Sequence, residues 1–229
     1  MKKLVKTLMV AGLAISLSGC VTLLPKTKPA QLYRFGYEPE LVEQKAQTAV
    51  MPNKPPLGLI FGGITFPKDS AGDQILTVDG AQAAYVAEAR WTTGASSLFS
   101  DAVTTGFART AKTVTLEPRV PTAANYRIDI SVRKFETSYT RNKPTVSIAL
   151  DARLIRISDR VVVGQKFISA DVAVRRNDMS LMADGYNQAT TQVVAGLIDF
   201  SETTLAPFVA AQPLAPNVPA TPGQKVEGL

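Results

Sequence analysis

The 229-residue chain has no histidine and a single cysteine, Cys20. Without histidine there is no imidazole general base, no Ser-His-Asp or Cys-His nucleophile system, and no His-ligated zinc or iron. One cysteine excludes an intramolecular disulfide, a zinc ribbon and an iron–sulfur cluster. Aromatic residues are sparse at 7%, and Trp91 is the only tryptophan. Most enzyme classes are thereby set aside. What is present is 45% hydrophobic, which is ordinary for a soluble globular protein, in a length that suits one domain with tails.

The formal charge of +6 is uneven in its placement. Lys2, Lys3 and Lys6 open the chain, and an uncharged stretch follows from Thr7 to Thr22, with Leu8 to Ile15 as a short apolar centre. That is the layout of a secretory signal, too short to span a membrane as a mature helix. It ends in Leu17-Ser18-Gly19-Cys20, which closely resembles the bacterial lipobox. The resemblance implies cleavage before Cys20, acylation of its thiol and acylation of the new amino terminus, so residues 1–19 read as signal peptide and 20–31 as a lipidated spacer. The competing reading is a plain signal with an incidental or buried cysteine. Two acyl signals hold a protein stably where one does so only marginally. Removing the three lysines leaves 22 basic residues against 19 acidic ones, about +3 and scattered, which argues against a nucleic-acid partner. Val21, not Asp, follows Cys20. By analogy with enterobacterial sorting this favours the periplasmic face of the outer membrane over the inner membrane.

The domain reads from 32 to 206. Leu32 to Gly36 is a short strand with Tyr33 and Phe35 on one face, and 37–56 is a loop with one helical turn around Leu41 to Ala46. Leu57 to Phe66 is β-rich, and Gly62-Gly63 mark a bulge or bend. Pro67 to Asp73 is a turn, Ile75 to Val78 a strand, and Asp79-Gly80 a hairpin signal. Ala83 to Trp91 fits a strand or a short helix. Ser96 to Lys112 is amphipathic, with Phe99, Val103, Gly106 or Phe107, and Thr110 at helical spacing and Ser96 or Ser97 as N-cap. Tyr126, Ile128, Ile130 and Val132 alternate with polar residues, then slip in phase to Phe135, which predicts a bulged antiparallel strand. Val146 to Leu154 and Val161 to Val174 complete a meander. Met182, Tyr186, Ala189, Val193, Leu197 and Phe200 predict a long helix over 179–205. From 207 to 229 the Pro- and Ala-rich tail reads as disordered. The expected fold is α+β: about six strands in a mostly antiparallel sheet, with two helices packed on it.

Chemical motifs are weak. Ser131-Val132-Arg133-Lys134 has the spacing of Ser-Lys acyl enzymes, but it lies in a strand, where Ser131 and Lys134 are expected on opposite faces. Gly58 to Gly63 has P-loop glycine spacing, with Ile64-Thr65 where Lys-Ser/Thr is needed. Asp69 and Asp73 flank a loop without the ligand pattern of a calcium site. Arg160, Lys166, Arg175 and Arg176 form either a basic patch for phospholipid headgroups or a solvated sheet edge. Trp91 is a core or edge anchor, or a partner or lipid contact. Catalytic residues, metal ligands and cofactors are expected to be none, apart from the acyl chains on Cys20.

The succession of lipobox, Tyr33 strand, Pro-bearing turn, Ile75 strand, Tyr85-Val86-Ala87-Glu88-Ala89-Arg90-Trp91, amphipathic helix, Tyr126 to Ile130 strand, two further strands and a closing helix resembles the ABC-type transport auxiliary lipoproteins, including the paraquat-inducible protein C-like members. Tyr85 to Trp91 is similar to the family's Tyr-x-x-Ala-Arg-Trp segment, which makes Tyr85, Arg90 and Trp91 candidate contact residues. Lys68 to Gln74 and the 37–56 loop depart from the family pattern. The resemblance implies a fold like the N-terminal domain of TolB and a non-catalytic lipoprotein beside an ABC ATPase, a permease and MCE-domain proteins that move lipid between membranes. A homo-oligomer is compatible with such symmetric partners. The alternatives are a structural or envelope-assembly lipoprotein that binds peptidoglycan or another outer-membrane component, and, more weakly, a hydrolase using carboxylates alone.

Overall fold

A fifteen-residue strand, β6 (Tyr126–Thr140), organises the molecule. Its alternation buries Tyr126, Ile128, Ile130 and Val132, and then Phe135 and Thr137. Pairing slips between Val132 and Lys134, the bulge expected from the phase change. In the computed structural model, which describes residues 29–36, 56–117, 124–141 and 143–211, the other elements are β1 (Gln31–Tyr33), β2 (Leu57–Thr65), β3 (Gln74–Asp79), β4 (Gln82–Trp91), α1 (Ala95–Thr110), β5 (Val114–Glu117), β7 (Lys143–Arg156), β8 (Val162–Ala173) and α2 (Met179–Ala211). Leu17 to Cys20, most of the 37–56 loop and residues beyond Ala211 lie outside the described residues.

One edge of β6 serves two partners in succession. Its first half pairs with β2 (Leu59 opposite Tyr126) and its second half with β3 (Thr77 opposite Thr137), both parallel. The other edge takes β7, which takes β8, both antiparallel. β4 closes a hairpin with β3 through Gly80 (φ 57°) and carries β1, while β5 lines up along β2. Among the described residues, four of the seven pairings (β1–β4, β2–β5, β2–β6, β3–β6) are parallel. The sheet is therefore mixed with parallel pairings in the majority, which corrects the expected mostly antiparallel one. Alternation reports which face of a strand is buried; it does not report the direction of a partner sixty residues away.

The β6-β7-β8 meander is found where the alternation places it, with the connecting turn at 157–159, one residue before the expected 158–160. Eight strands, not about six, are present among the described residues. Residues 82–91 are strand throughout, and β5 carried no legible signal. α1 buries Phe99, Val103 and Phe107 as predicted, but Thr110 is exposed. Its N-cap is Gly94, with no side-chain cap. α2 buries all six of the residues whose spacing announced it. It continues through Pro207 to Ala211, beyond the expected end near Leu205. Proline there removes the amide donor that would bond the Thr203 carbonyl, a cost carried within the last turns of the helix.

By length and composition α2 could cross a membrane. It does not present an apolar surface all round, however: Asp184, Gln188, Thr191, Gln192, Asp199 and Thr203 are exposed on one side, and its apolar residues pack on the sheet. That is the pattern of an amphipathic core helix. Between the helices and the sheet lies an aromatic cluster. Phe135 sits 5.0 Å from Tyr186, 5.1 Å from Phe35 and 5.2 Å from Phe66, ring centre to ring centre. Glu202 of α2 fastens the start of β5 by accepting the backbone N–H of Lys112 (2.5 Å) and of Thr113 (2.7 Å).

Candidate functional site

The segment Tyr85 to Trp91 is a clamp. Trp91 is 2% exposed, with its ring edge-on to Phe35 (4.9 Å, 79°) and Tyr186 (5.0 Å, 82°). It belongs to the core, so the contact reading does not hold for this residue. Its backbone N–H donates to the Asp73 carbonyl at 2.8 Å. Arg90 reaches the Asp73 carboxylate at 3.8 Å, and the Tyr85 hydroxyl donates to the Asp69 carbonyl at 3.0 Å. Pairing with β3 slips in this stretch and Glu88 has φ 57°. This bulge lets Tyr85 face outward, 43% exposed, while Ala89 and Trp91 turn inward.

The clamped turn, Pro67 to Asp73, in turn positions α1. The Ala71 carbonyl accepts the Ser96 N–H and hydroxyl, and the Gly72 carbonyl accepts the Ala95 N–H. The serine expected to cap the helix therefore reaches back to the turn. Asp69 and Asp73 serve this architecture as loop residues.

Beside that helix start opens a cleft of about 1040 Å³. Phe61, Gly62, Gly63, Ile64 and Thr65 of β2 form one wall, Ser96, Ser97 and Ser100 of α1 a second, and Arg127, Asp129, Ser131 and Arg153 of β6 and β7 the floor. The glycine pair makes the opening: pairing between β2 and β6 slips between Phe61 and Ile64, and Gly63 has φ 108°. Gly62 has no room for a side chain, because a Cβ there would overlap Asp129 Oδ1 and lie 3.0 Å from Arg127 Cδ. Arg127 donates from Nη2 to Asp129 Oδ2 at 2.9 Å. Asp129 is the one carboxylate lining the cleft among the described residues, and Arg127 holds it. A smaller cavity of about 420 Å³ lies between α1 and α2 around Gly106 and Thr190.

The remaining motifs resolve simply. The bulge after Val132 leaves Arg133 and Lys134 both exposed, so Ser131 and Lys134 fall on the same outer face, not on opposite ones. Lys134 lies 3.7 Å from Glu136. Gly58 to Gly63 is strand. Arg160 and Arg175 sit beyond opposite ends of the twelve-residue β8, about 40 Å apart at the rise of a strand. Lys166, between them, faces Asp199 at 3.4 Å. These residues do not make one patch. No group of three His, Cys, Asp or Glu able to hold a metal ion occurs among the described residues.

Titration is perturbed mainly in phenols. Burial raises the pKa of Tyr186, whose hydroxyl meets Thr137 Oγ1 at 3.3 Å, and burial likewise raises Tyr126 and Tyr139. Asp159 is lowered by its hydrogen bonds from Arg156. None of these groups lines the cleft. The cleft itself was not legible in the sequence; its one advance signal was the Gly62-Gly63 pair.

Comparison with known proteins agrees with the architecture. No curated protein matches the sequence. A crystal structure from Xanthomonas campestris assigned to the DUF330 family superposes with a TM-score of 0.64 at 20% identity, covering 79% of this chain and 99% of that one. The crystal structure of an uncharacterised protein gives 0.58 at 10% identity, covering 75% and 98%. These likenesses establish the fold. The family model for the ABC-type transport auxiliary lipoprotein component matches residues 40–197, which include the clamp, the cleft and most of α2. With more than half of its length matched, the chain belongs to the ABC-type transport auxiliary lipoprotein family.

Proposed function

We propose that this transport-associated lipoprotein is the non-catalytic auxiliary subunit of an ABC system that moves lipid between the inner and outer membranes with an MCE-domain partner. The observation that carries this reading is the family match over residues 40–197. Acyl chains on Cys20 would hold the protein on the periplasmic face of the outer membrane, in keeping with Val21 after the cysteine. The domain then acts by docking. Restricting it to a surface raises its effective concentration near a membrane-bound partner without any new contact. A fold like the N-terminal domain of TolB is part of the same proposal.

The clamp supports a docking role. Tyr85, Arg90, Asp73 and Asp69 present a rim whose backbone is fixed by Trp91 in the core. A fixed polar rim loses little conformational freedom on binding. The test is crosslinking in intact cells followed by affinity purification from membranes. Recovery of an ABC permease or an MCE-domain protein supports the reading. Recovery of only peptidoglycan or outer-membrane assembly proteins sinks it in favour of an envelope-assembly role.

A further inference from the structure

The cleft between the β2 bulge and α1 has a chemistry that docking does not use. Arg153 projects from β7 opposite Asp129 in the β6–β7 register, yet among the described residues it makes no ion pair. Asp129 is held instead by Arg127. Arg153 is exposed and lines the cavity. Ser97, Ser100 and Ser131 line the same space, and their hydroxyls donate to no group among the described residues. Phe61 and Ile64 supply an apolar wall.

The amides at the start of α1 are taken: those of Ala95 and Ser96 go to the Gly72 and Ala71 carbonyls, and those of Ser97 and Leu98 to the Gly94 carbonyl. An anion here would be held by side chains, not by the helix end. The cleft carries two guanidinium groups and one carboxylate, a net positive charge. A planar guanidinium that can donate two parallel hydrogen bonds, flanked by hydroxyl donors, suits a tetrahedral oxyanion better than it suits a carboxylate already matched elsewhere. The volume, about 1040 Å³, is at the upper end for ligand sites and leaves room for an organic group against Phe61 and Ile64.

We propose that this cleft binds a phosphate group, as a monoester, a diester or the free ion, with Arg153 as its principal donor and Ser97, Ser100 and Ser131 as secondary donors. Asp129 is the opposing element, since its carboxylate repels the anion and keeps Arg127 engaged. The site does not depend on the docking reading.

The test is titration calorimetry on the full mature chain in nonionic detergent and phosphate-free buffer. The probes are inorganic phosphate and glycerophosphoglycerol, a water-soluble phosphodiester headgroup, with glycerol as the uncharged control. Binding of the phosphodiester more tightly than phosphate assigns the site to lipid headgroups; the reverse order assigns it to free phosphate. Arg153→Gln should weaken binding by about tenfold or more, as expected for loss of a charge-assisted bidentate pair. Arg153→Lys should be intermediate. Asp129→Asn should tighten binding severalfold by removing the repulsion and releasing Arg127, a result that a merely structural role for these residues would not give. Arg175→Gln, outside the cleft, should change nothing. Far-UV circular dichroism checks that each variant is folded. Absence of binding by both probes, equal binding of glycerol, or indifference to Arg153→Gln overturns the proposal.

Discussion

Replacing Trp91 by alanine separates the two roles that its sequence left open. The side chain is 2% exposed and meets Phe35 and Tyr186 edge-to-face at 4.9 and 5.0 Å. Truncating a buried tryptophan costs about 3–5 kcal/mol, from lost transfer energy and the cavity left behind. Each aromatic pair adds roughly 0.5–1.5 kcal/mol beyond area, which puts this site at the upper end of that range. For a domain of this size each kcal/mol moves Tm by about 2–4 °C, so the expected fall is on the order of 10–20 °C. Trp91→Phe keeps one ring in the cluster and should lose less than half as much. Trp91 is the only tryptophan, so the wild-type protein carries its own probe: native emission should be blue-shifted and poorly quenched by acrylamide, and should become accessible only in denaturant. Stability of the variants, which lack that fluorophore, is followed by far-UV circular dichroism on heating. An unchanged midpoint for Trp91→Ala, or free quenching of the native indole, would refute the core assignment and return Trp91 to the surface.

The other expectations concern ties specific to this fold. Burial raises the pKa of Tyr186 above the ordinary phenol value in the unfolded chain, so its contribution is complete below about pH 10 and is lost as pH rises further. Tyr186→Phe should flatten the fall in urea midpoint above about pH 10, while costing about 1–2 kcal/mol at neutral pH by leaving the Thr137 hydroxyl without its partner. Glu202→Ala removes the acceptor for the Lys112 and Thr113 amides and should cost about 1–2 kcal/mol in thermal unfolding; Glu202→Gln, which keeps an oxygen there, should cost less. Gly106→Ala would ordinarily stabilise a helix by about 1 kcal/mol. Here the added Cβ would overlap Val194 Cγ1, so the net effect should be a loss of about 1 kcal/mol once an overpacking cost of about 1–3 is set against that gain; a raised Tm would show that α1 and α2 part more easily than their packing implies.

The elements with strong periodicity were legible. β6, β7 and α2 show their buried faces in the sequence because large aliphatic residues alternate cleanly with polar ones, and the Val132–Phe135 phase slip located the β6 bulge to within two residues. β4 was ambiguous because Ala83, Ala84, Ala87 and Ala89 carry little contrast and the Glu88 bulge breaks its phase. β5 is four residues long, too short for periodicity to register. Strand direction was hidden for a different reason. β2 and β3 share one edge of β6 across a long stretch of chain, and only tertiary packing decides which way they run. At the site, Tyr85, Arg90 and Trp91 were picked out as a segment, but their task of holding the 67–73 turn depends on Asp69 and Asp73 carbonyls, which no side-chain pattern reports. The cleft joins β2, α1, β6 and β7, so its residues are brought together only by the fold.

Whether the chain is an auxiliary subunit tethered beside a lipid-moving ABC system is decided by in-cell crosslinking and quantitative recovery from membranes of the wild-type chain and of Cys20→Ala. The wild type should fractionate with the outer membrane and capture an ABC permease or an MCE-domain protein. Cys20→Ala should become soluble in the periplasm and lose most of that capture, because its effective concentration at the membrane falls. A wild-type chain that captures neither partner, or a Cys20→Ala chain that stays with the outer membrane, would contradict that role.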